Sequence, residues 1–152
     1  MKTLEEIAYD AGRHALADQE SLVNGIRQRT GTLLAAHALV ASFLGAAAIR
    51  VDGLHGLSWV ALASLVAGLV VAATLLGPWK LIFAMDARNL YAQLFEDEAG
   101  ERPSDALTTA GFGYQELRDS NAPRVQVMSA LSVALGILMV TQTLAWIAEL
   151  VR

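Results

Sequence analysis

Three stretches of this chain contain no Asp, Glu, Lys or Arg: residues 33–49, 57–76 and 125–148, of 17, 20 and 24 residues. All 26 acidic and basic side chains are confined to the other 91 residues. A water-soluble helical domain spreads its charge over every surface helix, because each has one wet face. Segregation this complete predicts a chain that meets two solvents. The second is a bilayer, whose hydrocarbon core takes about 17–25 apolar residues to cross as a helix. Residues 57–76 argue hardest against the alternative, a soluble bundle of Ala-rich helices, since they offer water no polar face. Residues 125–148 are diluted by Gln126, Ser129, Ser132, Thr141, Gln142 and Thr143. They read either as a tilted span with one polar stripe or as a helix packed mainly on protein.

Counting cations orients the chain. With the N-terminus in the cytoplasm, nine Lys and Arg fall inside and only Arg50 and Arg152 outside, as the positive-inside rule requires. Trp59 and Trp146 then lie near the outer ends of spans two and three, and Trp79 just inside span two. The sequence therefore predicts an all-α integral membrane protein, with three transmembrane helices continuing into a cytoplasmic helical bundle. Its parts are an amphipathic cytoplasmic helix in 1–32, span one at 33–49, an external hairpin at 50–56 and span two at 57–76. A cytoplasmic helix pair at 77–124, span three at 125–148 and an external tail at 149–152 complete it. Met1-Lys2-Thr3 leads into Leu4-Glu5-Glu6 without the apolar region of a cleavable signal peptide.

In 1–32 the positions Leu4, Ala8, Ala11, Ala15, Leu22 and Ile26 step by threes and fours, which predicts the buried face. Gly77-Pro78 predicts a kink, followed by a helix over 80–98 with Leu81, Ile82, Met85, Leu90, Leu94 and Phe95 as its stripe. After the acidic stretch 96–101, Ser104 is the expected N-cap of a helix carrying Leu107, Ala110, Tyr114 and Leu117 up to Asn121-Ala122-Pro123, where span three begins. Each of these helices has an apolar face and is too short to be stable alone, so packing on one another or on further copies is expected. A homo-oligomer is the natural reading. Small residues four apart, Ala41 with Gly45, Ser64 with Gly68 and Ser132 with Gly136, mark close helix approach within or between chains.

Chemical motifs are few. The chain has no Cys, so no disulfide or thiolate metal site; His14, His37 and His55 are too dispersed for a metal, and no cofactor motif is present. Neither G-x-S-x-G nor a phosphate-cradling glycine loop occurs, so no enzyme is expected. Gly111-Phe112-Gly113 is a flexible or close-packed spot. A net charge of −4 argues against a nucleic-acid polymer as partner. His37 is ionisable and five residues into span one, either a functional group or a side chain bonding a carbonyl of a neighbouring helix. Gln126, Ser129, Ser132 and Thr143 could line a pore or join helices. Arg27, Arg29, Lys80 and Arg124 gather at the inner surface, a girdle for anionic lipid head groups that could also receive an anionic second messenger.

The segment Ile26-Arg27-Gln28-Arg29-Thr30-Gly31-Thr32-Leu33-Leu34-Ala35-Ala36, the short hairpin, the helix pair and the final helix introduced by Asn121-Ala122-Pro123-Arg124 resemble the small bacterial membrane effectors of the Pycsar and SLATT type. The resemblance covers nearly the whole chain in hydropathy and organisation. It departs at Arg29-Thr30-Gly31-Thr32, where related sequences often carry an acidic residue and a Lys, so ligand contacts do not carry over. It implies anti-phage defence by abortive infection, in which a cyclic nucleotide or other signal triggers an inner-membrane effector that impairs the membrane. The expected function is thus a non-enzymatic, oligomeric effector in the bacterial inner membrane. The alternative is a scaffolding membrane protein whose cytoplasmic helices dock a soluble partner. A phage holin fits less well, given the long cytoplasmic helices.

Overall fold

The computed structural model describes residues 2–52, 56–86 and 103–152. About nine-tenths of these are helical and none is in a strand. The helices are α1 (Leu4–Val40), a π-helical turn (Ala41–Gly45), α2 (Ala46–Asp52), α3 (Gly56–Leu76) and α4 (Pro103–Val151). Three helical stretches, Leu4–Arg50, Gly56–Leu76 and Ser104–Val151, are long and apolar enough to cross a membrane. The chain divides into two compact units, Met1–Val23 with Trp79–Gln126 and Asn24–Pro78 with Val127–Arg152. Both α1 and α4 contribute to each.

In the first unit α1 begins on a reciprocal cap. The Glu6 backbone N–H donates to Thr3 Oγ1 at 3.3 Å and the Thr3 N–H donates to Glu6 Oε2 at 3.0 Å, so two N–H groups that the first turn leaves orphaned are bonded. Lys2 Nζ reaches Asp10 Oδ2 at 2.5 Å over the same turn. The face that packs matches the expected one at Ile26, which is buried, and departs from it by one position earlier in the helix: Gly12, Leu16 and Val23 are buried, whereas Leu4, Ala11 and Leu22 are exposed. Backbone approach explains the offset: a Cβ on Gly12 would stand 2.6 Å from the Gly111 carbonyl oxygen, and one on Gly111 would stand 3.1 Å from that of Ala8. Two glycines let α1 and α4 touch main chain to main chain, and that contact outweighs the methyls of Ala11 and Ala15. Gly111-Phe112-Gly113 is accordingly a close-packed spot. Tyr9 and Tyr114 meet edge to face at 5.8 Å next to it, and burial pushes the Tyr114 phenol up from its ordinary pKa.

The helix expected from residue 80 does not form over 78–86, which has no helical turn. Pro78 lacks the N–H that would continue α3, and Asn121 then claims the backbone. Its amide donates to the Ile82 carbonyl at 2.8 Å and accepts from the Ile82 N–H at 3.2 Å. Asn121 is 1% exposed. The rest of the stretch, including Leu90, Leu94, Phe95, the acidic turn 96–101 and Arg88, lies outside the described residues, as do Gly53, Leu54 and His55 of the hairpin. One boundary also moves: α4 starts on Pro103, whose missing N–H is harmless in a first turn, so Ser104 lies inside that turn instead of capping it. The helix runs on through Pro123 into the following apolar stretch as a single element of 49 residues, in keeping with the expected continuity.

In the second unit α3 turns a face of small side chains inward, Ser58, Ala61, Ser64, Gly68 and Ala72 with Leu75. Its larger side chains, Trp59, Val60, Val66, Leu69 and Val70, are exposed. α4 shows the same inversion, with Val133, Ile137, Val140 and Leu144 outward. Such placement is destabilising against water and favourable against hydrocarbon, where small residues let backbones approach. Ser64 and Gly68 serve contacts within the chain, as does Gly45, where a Cβ would meet the Trp146 ring at 3.1 Å. Trp146, expected at a membrane interface, is 1% exposed and forms a core with Ala48, Ala61 and Ala145. Gly45 and the alanines leave the space the indole fills.

Candidate functional site

Burial along the two long helices recurs at intervals of seven. On α1 it takes Leu16, Val23, Thr30 and His37; on α4, Asn121, Met128, Leu135 and Gln142, all at 2% exposure or less. Seven-residue spacing is that of a left-handed helix seam. On each helix the series carries polar side chains where a soluble coiled coil would use Leu or Ile. Thr30 is satisfied within α1, its hydroxyl donating to the Ile26 carbonyl at 2.8 Å. His37 and Gln142 satisfy each other.

Their geometry has three parts. His37 Nδ1 is hydrogen-bonded to Gln142 Oε1. Gln142 Nε2 donates back to the His37 carbonyl at 3.3 Å, which fixes which end of the amide faces the ring. On the opposite ring edge, His37 Nε2 lies 3.4 Å from the Leu135 carbonyl oxygen. Both ring nitrogens face an oxygen, and the tautomer decides which of the two donates. α3 closes the third side. A Cβ on Gly68 would stand 3.0 Å from His37 Cε1 and 3.1 Å from Nε2, so the imidazole packs flat against bare backbone. No ion pair involves His37 among the described residues. An imidazole and an amide thus join α1 to α4 amid apolar helices, and separating them would leave both groups in need of water or another partner.

Of the two readings of His37, the one that bonds a neighbouring helix describes its contacts. Its partner Gln142 was among the residues diluting span three but not among the candidates. The other polar candidates of 125–148 do not join the pair. Gln126 and Ser129 are exposed and Ser132 and Thr143 half-buried, with Thr143 Oγ1 donating to the Met139 carbonyl of its own helix at 2.9 Å. Arg27 is partly buried, its Nε enclosed without a hydrogen-bond partner among the described residues. Arg29, two positions on, points to a different side of α1 and is exposed. Lys80 is exposed, and Arg124 donates to the Ser120 carbonyl at 3.0 Å.

The first unit holds a polar groove of about 360 Å³ whose lining includes Asp18, Gln19, Leu22, Arg118, Val125 and Gln126. Gln19 spans it, donating to the Arg118 carbonyl at 3.1 Å. No group of three or more His, Cys, Asp or Glu able to hold a metal occurs among the described residues. No family model matches the chain, and no curated protein or solved structure is detectably similar to it.

Proposed function

We propose that the chain is a non-enzymatic effector of a bacterial inner membrane. α1, α3 and α4 cross the bilayer with the N-terminus inside, copies associate, and a cytoplasmic signal changes the packing so that the membrane loses integrity. The observation that carries this reading is the His37–Gln142 pair. Polar side chains within otherwise apolar spans are costly, and a pair that holds two helices together in one packing becomes a polar lining in another. The likeness of the sequence's layout to Pycsar and SLATT-type effectors supports it. The signal, an anionic cyclic nucleotide in the scheme that likeness suggests, must bind one packing better than the other, since only differential affinity shifts an equilibrium. Inducing the chain in bacteria with and without a co-expressed nucleotide cyclase, while following membrane potential by dye, is the test. Depolarisation that depends on the cyclase is expected; no depolarisation under any trigger would sink the proposal.

The polar groove at Gln19 and Arg118 favours a second reading, a scaffold whose water-facing helices dock a soluble partner. Co-purification at fixed stoichiometry, with no ion flux in liposomes, distinguishes it from an effector.

A further inference from the structure

The second unit carries a groove that changes character along its length. At one end Gln28, Arg29, Thr32 and Leu33 surround a hollow of about 330 Å³. Leu33 also borders a furrow of about 540 Å³ walled by Val133, Gly136, Ile137, Met139 and Val140 of α4. The only hydroxyl on that furrow, that of Thr141, is already used, donating to the Ile137 carbonyl at 3.0 Å. A hollow that carries one cation and one amide thus adjoins a furrow walled by carbon, with Leu33 common to both linings. Gly136 makes the channel: a Cβ placed there meets nothing within 4 Å.

From this geometry we infer that the groove binds one phospholipid with an anionic head group. The phosphate takes the Arg29 guanidinium, whose planar fork holds two phosphate oxygens side by side. The Gln28 amide bonds a further head-group oxygen, and an acyl chain lies along the furrow over Gly136. Charge decides against a second copy of the chain as occupant. On α1 no acid occurs between Glu20 and Asp52, and on α4 none between Asp119 and Glu149. Parallel copies would set Arg27 and Arg29 against their own kind with no carboxylate at that level. Nor does any carboxylate pair with Arg29 among the described residues.

This inference rests on the membrane reading proposed above, and the experiment separates the two. Carbonate extraction of the full chain comes first: release into the soluble fraction overturns the membrane reading itself. For the extracted-resistant protein, native mass spectrometry from nanodiscs of mixed phosphatidylglycerol and phosphatidylcholine reads the retained lipid. One phosphatidylglycerol per chain is expected, retained at least tenfold over phosphatidylcholine. Arg29→Gln should abolish the preference, and Gly136→Leu should abolish retention, because its side chain fills the furrow without meeting protein atoms. Circular dichroism of both variants, unchanged in helicity, guards against misfolding. Glycerol phosphate, which has the head-group charge but no chains, should not compete at millimolar concentration. Equal retention of both lipids, retention unchanged in Gly136→Leu, or competition by glycerol phosphate each overturns the proposal. So does a Gly136→Leu variant that dissociates an oligomer while keeping its lipid, since the furrow would then be a contact between copies.

Discussion

His37 and Gln142 are each the other's principal partner, so removing one harms more than removing both. Gln142→Leu removes the Nδ1 partner and leaves the buried ring only the longer contact to the Leu135 carbonyl, a loss of about 1–3 kcal/mol by the general scale, although hydrogen bonds between membrane helices average nearer 0.6 kcal/mol. His37→Leu with Gln142→Leu together should cost less than the sum of the single changes, which thermal unfolding in detergent monitored by circular dichroism would measure; strict additivity would mean the pair does not act as a unit. The pair also shows what a sequence reveals at this scale. His37 stands out because an ionisable residue in an apolar run is conspicuous. Gln142 hides among Thr141 and Thr143, 105 residues away, and its amide carries no charge to draw the eye. Its position was nonetheless written in the chain, as the next step of seven after Asn121, Met128 and Leu135. On α1 Ile26 packs as its spacing implies, whereas toward the N-terminus the buried face lies one position later because the decisive residue there, Gly12, contributes by having no side chain.

At the scale of elements, the apolar helices were legible throughout, since a run without charges needs no partner to be recognised. What could not be read was where a helix is prevented. Leu81, Ile82 and Met85 have helical spacing, but over 78–86 no helical turn forms, and Asn121, 39 residues beyond Ile82, takes the Ile82 N–H and C=O. Asn121→Leu would remove both bonds while keeping bulk in α4. Limited proteolysis should then cut near residue 82 several-fold faster than in the parent, while an unchanged rate would show the segment to be held by something else. The start of α1 offers a pH signature. The hydrogen bond from Lys2 holds the Asp10 carboxyl below its ordinary value of 3.8, and the same bond raises Lys2 above 10.5. A lowered acid contributes above its unfolded pKa and loses that contribution as pH falls through the lowered folded value. A raised base contributes below its unfolded pKa and loses it as pH climbs through the raised one. The turn is therefore tightest between those limits and frays beyond either. Backbone carbon shifts of Glu6 and Asp10 followed by nuclear magnetic resonance should drift toward coil values at both extremes, and Lys2→Ala should remove the response at each.

Among the described residues the core is apolar, with Leu16, Val23, Leu75, Met128, Leu135 and Trp146 buried, but it also encloses Thr30, His37, Ser58, Ser64, Asn121 and Gln142, while large apolar side chains such as Phe43, Trp59, Val66 and Ile137 face outward. Ile137 is 62% exposed on α4, so Ile137→Arg puts a cation where the membrane reading places lipid. Insertion should become less favourable by about 2.5–3.5 kcal/mol. A fall in the carbonate-resistant fraction is the expected result, and full retention would contradict a lipid-facing position.

The π-helical turn at Ala41–Gly45 acts as a phase shift. Up to His37 burial on α1 recurs every seven residues; the next deeply placed residue is Gly45, eight on, beneath the Trp146 ring. One surplus residue has been absorbed there, as a π turn does, and each residue turns an α-helix by about 100°. Deleting Ser42 would give back an unbroken α-helix that is locally more regular and globally out of step. Either the imidazole or the glycine could then meet its partner, but not both. The irregularity is what lets one helix keep two appointments.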